Sequence, residues 1–230
     1  MDGYDVNAQA ATHLEELIGI DKQTPTAKLK RYAFDIMNGL EGWCAEDKAS
    51  VLIDIILKMK PTTIVEIGVF GGKSLVPMAC ALQANQAGVI YGIDPWDATA
   101  SMEEVRNKDN RHYWSIVDHR GIMNGLMSKI EQLNLTEHIE LIESTSENAP
   151  LIYEIDILHV DGNHSDKTSF YDVNKWVPLV RKGGWIIFDD MKWHEEGVDT
   201  TARAVAWLDA NCRKFAEFTD VCTWGIWIKP

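Results

Sequence analysis

The sequence predicts an α/β chain on a doubly wound, mostly parallel seven-stranded sheet, and three observations carry that expectation. Short β-branched apolar runs alternate with helical stretches from residue 62 to 188, a glycine-rich turn follows the first run, and two strand-like runs close the chain with no helix between them. With 230 residues, 46% of them hydrophobic, the chain has enough apolar material for one such domain with a full core.

The elements follow in order. From Ala8 to Lys60 the pattern is helical. Leu14, Leu17 and Ile18 share one face, and Val51, Leu52, Ile55, Ile56 and Met59 form another, entered at residues 45–50 and stopped by Pro61. Residues 1–60 are therefore expected as an N-terminal helical cap on a 61–230 sheet domain, the two making one compact unit. Residues 62–69 (TTIVEIGV) have strand length, and 75–83 suit a buried helix whose first turn tolerates Pro77. Strands are expected at Val89–Ile93, Ile139–Ile142, Ile155–Val160 and Gly184–Phe188. Helices are expected up to about Asn134, briefly near Glu147, and over Phe170–Val180 and Thr200–Asn211. Lys214–Thr219 and Thr223–Lys229 read as an antiparallel hairpin at the sheet's edge. Residues 96–125, with Arg111, His112, Tyr113 and Trp114, are the least regular part and predict either a lid or substrate wall or a solvated helix.

Charge narrows the partners. A net charge of -13 with no long Lys/Arg run argues against nucleic acid or an anionic membrane surface and favours a small molecule. No run reaches the length of a membrane span and the acidic start is unlike a signal peptide, so a cytoplasmic location is expected. Cys44, Cys80, Cys212 and Cys222 are scattered without C-x-x-C and read as reduced packing residues. The N-terminal helices could pair two chains into a homo-oligomer or simply pack on the sheet.

The turn after the first strand, EIGVFGGKS at 66–74, ends like a nucleoside-triphosphate loop. That loop needs four residues between its glycines, and only Val69, Phe70 and Gly71 separate Gly68 from Gly72. Asp94 ends the second strand, where a carboxylate accepts hydrogen bonds from ribose hydroxyls. Glu66 would repel a polyphosphate and suits a cationic ligand. The ligand so described carries a nucleoside and positive charge, and S-adenosylmethionine fits. On these residues the chain resembles the class I methyltransferases, whose fold is Rossmann-like. The resemblance implies that Glu66, Gly68, Gly72 and Ser74 bind the methionine part, that Asp94 holds the ribose, and that Ser144, Thr145 and Ser146 lie beside the adenine, Thr145 standing where Asp is common. Trp96 is a candidate to stack on adenine or substrate. The alternatives are a NAD-dependent oxidoreductase and a nucleoside-binding scaffold without catalysis.

ILHVDGNHSD and GGWIIFDDMKW place Asp161, His164, Asp189 and Asp190 at the ends of the fourth and fifth strands. Three carboxylates converging there need a cation, and an all-oxygen set suits magnesium or another hard divalent ion; taken singly, Asp189 and Asp190 read as caps and Asp161 as a turn residue with Gly162. The pattern D-x-x-H followed by paired acids, with GIDPW at 92–96, resembles the metal-dependent sugar O-methyltransferases of the macrocin and mycinamicin type over about Ile64 to Met191. That resemblance implies magnesium on Asp161, Asp189 and Asp190, with His164 as general base on the hydroxyl of a small, sugar-bearing acceptor. Asp161 thus stands in the catalytic, metal and cofactor sets together. His159 and Asp161 also form H-x-D, as in iron oxygenases, but His159 reads better as a hydrogen-bonded histidine within a strand. His112, His119 and His194 are surface or substrate-contact candidates, and Trp176, Trp185 and Trp207 are core candidates.

Overall fold

A computed structural model describes residues 24–219 and 222–230; the expected helical face of Leu14, Leu17 and Ile18 lies outside them. The chain runs α1 (Pro25–Met37), α2 (Glu46–Met59), β1 (Thr63–Ile67), α3 (Leu75–Asn85), β2 (Val89–Asp94), α4 (Ala98–Ser101), α5 (Lys108–Ile116), α6 (His119–Gln132), β3 (Ile139–Glu143), β4 (Ile155–Val160), α7 (Asp166–Trp176), a 3-10 turn (Val177–Leu179), β5 (Val180–Phe188), a two-stranded ribbon of β6 (His194–Glu195) and β7 (Val198–Asp199), α8 (Ala202–Asn211), β8 (Arg213–Thr219) and β9 (Thr223–Ile228).

The main sheet has the order β3-β2-β1-β4-β5-β9-β8. β1 to β5 are parallel, and β9 is antiparallel to both β5 and β8, so the closing hairpin lies at the edge as expected. The strand order reverses between β1 and β4, which leaves a crevice at their carboxyl ends. The segment near Glu147 is a turn rather than a helix: Asn148 and Ala149 both donate to the Thr145 carbonyl and no regular helix follows. No helix of the described residues is long and apolar enough to cross a membrane.

Alternation along the strands sends Ile64, Ile157 and Ile187 into one core layer, under α1, α2 and α3, and Val65, Leu158 and Phe188 into the other, under α7 and α8. α1 and α2 thus share the main core, and the buried Lys30–Asp54 pair at 2.6 Å ties one to the other. α3 is buried almost throughout, so it carries no polar stripe.

The turn between β1 and α3 is tight: Gly68, Phe70 and Gly72 all have positive φ, at 85°, 50° and 81°. A Cβ on Gly68 would collide with the Asp161 carbonyl of the neighbouring tip, and one on Gly72 would meet Leu126 of α6. Gly68→Ala therefore combines strain with a backbone clash and is expected to cost at least about 2 kcal/mol in denaturant unfolding. Gly197→Ala, with a similar φ of 86° but nothing near its Cβ, is expected to cost about 1 kcal/mol or less. Equal losses at the two sites would contradict the close packing of the strand tips.

Candidate active site

Continuing the strand alternation by one step puts Glu66, His159 and Asp189 on the same face as Ile64, Ile157 and Ile187, one residue on each of three adjacent strands. The three side chains are 0%, 0% and 2% exposed. They bond in a row. Ser74 donates to Glu66 Oε1 at 2.5 Å, His159 Nδ1 lies 2.8 Å from that same oxygen, and His159 Nε2 lies 2.9 Å from Asp189 Oδ2. The far end is closed by Lys48, whose ammonium donates to Asp189 Oδ2 and lies 3.7 Å from Asp161 Oδ2. Lys48 comes from the first turn of α2, is itself 3% exposed, and has Trp224 beside its ammonium.

A neutral imidazole carries one N–H, so facing two carboxylate oxygens favours the imidazolium. Burial and the Lys48 charge work against that form, but the bonds to Asp189 and Glu66 outweigh them and hold the His159 pKa above its ordinary value. Burial likewise opposes the Lys48 charge, and Asp189 and Asp161 overcome it. Asp189 stays ionised despite burial because Lys48 and His159 flank it. Asp161, next in line, is pushed up by burial and by the Asp189 charge. Cys44, close to the same group, is pushed up to about 12, chiefly by burial, and is an inert thiol.

Above this row opens a cavity of about 590 Å³, a size suited to a cofactor with a small substrate. Its walls include Gly68, Ser74, Asp94, Thr145, Ser146, Asp161, His164, Asp189 and Asp190. His164 Nε2 lies 2.9 Å from Asp190 Oδ2, with its ring against Trp193 at 4.9 Å. Asp190 holds a left-handed backbone, φ 50°, and its carbonyl accepts from Thr201 at 2.7 Å. Residues 98–116 form the opposite wall. Asn163 at the β4 tip donates to the carbonyls of Ala100, Ser101 and Glu103, and Glu195 in the ribbon accepts from the amides of Arg106 and Asn107. Trp43, Phe70, Tyr113 and Trp114 cluster at another edge, with Trp43 stacked on Phe70 at 5.5 Å.

Four residues expected at the cofactor do not line the cavity. Glu66 is fully buried and engaged by His159 and Ser74, so it supports the site from below. Gly72 faces α6. Trp96 is 3% exposed and its indole donates to the Phe70 carbonyl at 2.8 Å, which makes it a strut under the turn rather than a stacking surface. The Ser144 hydroxyl donates to the Thr145 carbonyl. The triphosphate-loop likeness also ends here: the Val69 and Phe70 amides, at 3.0 and 2.9 Å, are already bonded to Asp94 Oδ2. Asp94 Oδ1 accepts from the Trp96 amide alone, and burial raises this carboxyl against its three amide bonds.

The three aspartates expected around one magnesium are divided. Asp189 groups with His159 and Asp161, Asp190 groups with His164 and Asp161, and the first group is filled by the Lys48 ammonium. A divalent ion on the Asp161 oxygen nearest Lys48 would stand within about 6 Å of that ammonium and meet roughly 5 kcal/mol of repulsion at an effective dielectric of about 20. The residues therefore do not fit a single ion held by all three acids.

Sequence reasoning overlooked Lys48, although a lysine three and four residues before Val51 and Leu52 stands on the apolar face of α2 and was a legible signal. It also missed Asp172. This α7 residue is 1% exposed, accepts from Ser146 at 2.5 Å through Oδ1, and leaves Oδ2 without a partner beneath Gly162.

Comparison with known proteins bears on the family and the fold. A family model described as a methyltransferase domain matches residues 65–191, more than half of the chain. The chain belongs to that methyltransferase family. An uncharacterized protein of Acanthamoeba polyphaga mimivirus is 31% identical over 152 residues, a match spanning 65% of this chain and 62% of that protein. An uncharacterized protein of Sinorhizobium fredii is 26% identical over 151 residues, but the match spans only 14% of its length. Among solved structures, the O-methyltransferase TomG from Streptomyces achromogenes, in complex with S-adenosylmethionine, superposes with a TM-score of 0.61 at 14% identity over 100% of this chain and 99% of its own. A Podospora anserina methyltransferase bound to S-adenosylhomocysteine gives 0.63 at 13% identity over 100% and 97%. The Bacillus cereus O-methyltransferase in complex with the same product gives 0.60 at 14% over 96% and 97%. These likenesses establish the fold.

Asp172 supplies a pH test of the cavity floor. Burial pushes its carboxyl from 3.8 to about 7, the Ser146 bond working the other way. Between those values the folded state keeps a proton that the unfolded state releases, so its contribution to stability is full below about pH 4 and is lost as pH rises through about 7. The total is up to about 4 kcal/mol at about 1.4 kcal/mol per unit. Asp172→Asn lacks this slope. Unfolding measured at pH 4.5 and 7.5 should show the variant gaining several kcal/mol on the wild type at the higher pH; parallel profiles would contradict the buried, protonated carboxyl.

Proposed function

We propose that this methyltransferase-family chain is an S-adenosylmethionine-dependent O-methyltransferase acting on a hydroxyl of a small polar acceptor, with a sugar or sugar-bearing metabolite as the leading class. The single observation that carries the reading is that one cavity joins the glycine turn and Asp94 on one side to the His164–Asp190 pair on the other. Its donor set fits the cofactor. Asp94, Glu103, Glu147, Asp161, Asp189 and Asp190 give the walls an acidic excess over Lys48, Lys73 and Lys167, which suits a cation and opposes the pyrophosphate of NAD. Asp94 keeps acceptor capacity on Oδ1 for ribose hydroxyls, and Thr145 and Ser146 border the adenine end.

When bound, S-adenosylmethionine supplies a methyl group on a sulfonium, and S-adenosylhomocysteine is the product. The chain's own residues do the rest. His164, held beside Asp190, takes the acceptor hydroxyl's proton as the C–O bond forms and the S–C bond breaks. Asp190 orients the ring and stabilises the imidazolium that results. The residue 98–116 wall and the Trp43–Phe70–Trp114 cluster exclude water, which favours a displacement in which opposite charges cancel.

The test uses calorimetry with S-adenosylhomocysteine followed by transfer of labelled methyl to a panel of hydroxylated compounds. Asp94→Asn is expected to weaken product binding about tenfold, the effect of losing one charged hydrogen bond. His164→Ala should leave product binding intact and lower transfer by about 10²–10⁴-fold. Binding of NAD with no response to S-adenosylhomocysteine would overturn the assignment, and unchanged turnover in His164→Ala would overturn the role of that residue.

A further inference from the structure

We propose that the resident cation of this centre is the Lys48 ammonium, so that Asp161 and Asp189 are held together by a side chain of the N-terminal segment in place of a divalent metal. Three observations carry this. The ammonium is bonded to Asp189 Oδ2 and lies 3.7 Å from Asp161 Oδ2, so it lies between the two carboxylates that a shared ion would bridge. It is fixed there by the fold: Lys48 is 3% exposed, with Ala49, Val51 and Leu52 of the same helix in the core and Trp224 beside the ammonium. Finally, Asp189 Oδ2 is also 2.9 Å from His159 Nε2, so the oxygen that meets the ammonium already has a second partner.

Lys48 is a positioning residue. It screens the repulsion between two acids at adjacent strand tips and keeps Asp161 turned to the cavity, with Asp190 free to pair with His164. Removing it leaves two carboxylates and an imidazole, a set with the reach of a metal site. The variant is thus expected to acquire what the wild type lacks.

Mn²⁺ is the probe, read by electron paramagnetic resonance and by thermal melting, on the full chain. The wild type should show no stoichiometric Mn²⁺ at this place and no change in melting temperature with Mn²⁺ or EDTA. Lys48→Ala should bind Mn²⁺ at least about tenfold more tightly, losing it again in Lys48→Ala/Asp189→Asn, while Lys48→Arg binds no better than the wild type. One Mn²⁺ bound by the wild type and lost in Asp189→Asn overturns the proposal, and so does a folded Lys48→Ala that gains no affinity. If Lys48→Ala does not fold, the comparison of wild type with Asp189→Asn decides alone. The inference rests on the proposed methyl transfer only in its corollary, that turnover keeps its rate in EDTA. Absence of any methyl transfer would sink the functional reading and leave the cation-binding result standing.

Discussion

A row of charge crosses the buried face of the sheet: Ser74, Glu66, His159, Asp189 and Lys48, each bonded to the next. Everything at the strand tips depends on it. Buried ionic groups are tolerated only when paired and hydrogen-bonded, and breaking such a pair by removing one partner typically costs about 3–5 kcal/mol. The row therefore fixes relative positions across β1, β4 and β5 more stiffly than apolar contacts would. It also explains why Ser74, standing at the N-cap of α3, makes no capping bond: its hydroxyl is committed to Glu66.

The second consequence is a division of labour between floor and wall. Glu66 and His159 are sealed below the cavity and hold geometry, Lys48 closes the row at the cavity's floor, and Asp94, Asp161, His164 and Asp190 line the walls. Asp94 has a double role, because its Oδ2 pins the amides of the glycine turn while its Oδ1 accepts from the Trp96 amide alone and the residue lines the cavity. The turn is thus shaped by an acid before any cofactor arrives, a form of preorganisation. The same bonds take up two of the turn's amides, those of Val69 and Phe70, which a phosphate would otherwise use.

Much of this was legible in the sequence because strand alternation and turn chemistry are local. β4 matches its expected span, the closing hairpin differs from its expected spans by one residue at either end, and the acids at the tips of β2, β4 and β5 were found from their place after apolar runs. What escaped was long-range. Glu66 is separated from His159 by 93 residues and Lys48 from Asp189 by 141, and no local pattern states that they meet. Trp96 follows an acidic strand end, a place suited to a ligand contact, yet its left-handed backbone turns the indole under Phe70. The aspartates were expected to converge because they share an end of the sheet. Strand pleating instead sends Asp189 into the buried row and leaves Asp190 to His164.

The most direct test is a crystal structure of the S-adenosylhomocysteine complex grown in millimolar magnesium. The nucleoside should lie between Asp94 and Thr145–Ser146, the sulfur on the His164 side of the cavity, and the Lys48 ammonium should still join Asp161 and Asp189. A nucleoside bound away from Asp94, or a hydrated ion between those two acids with Lys48 displaced, would contradict this arrangement.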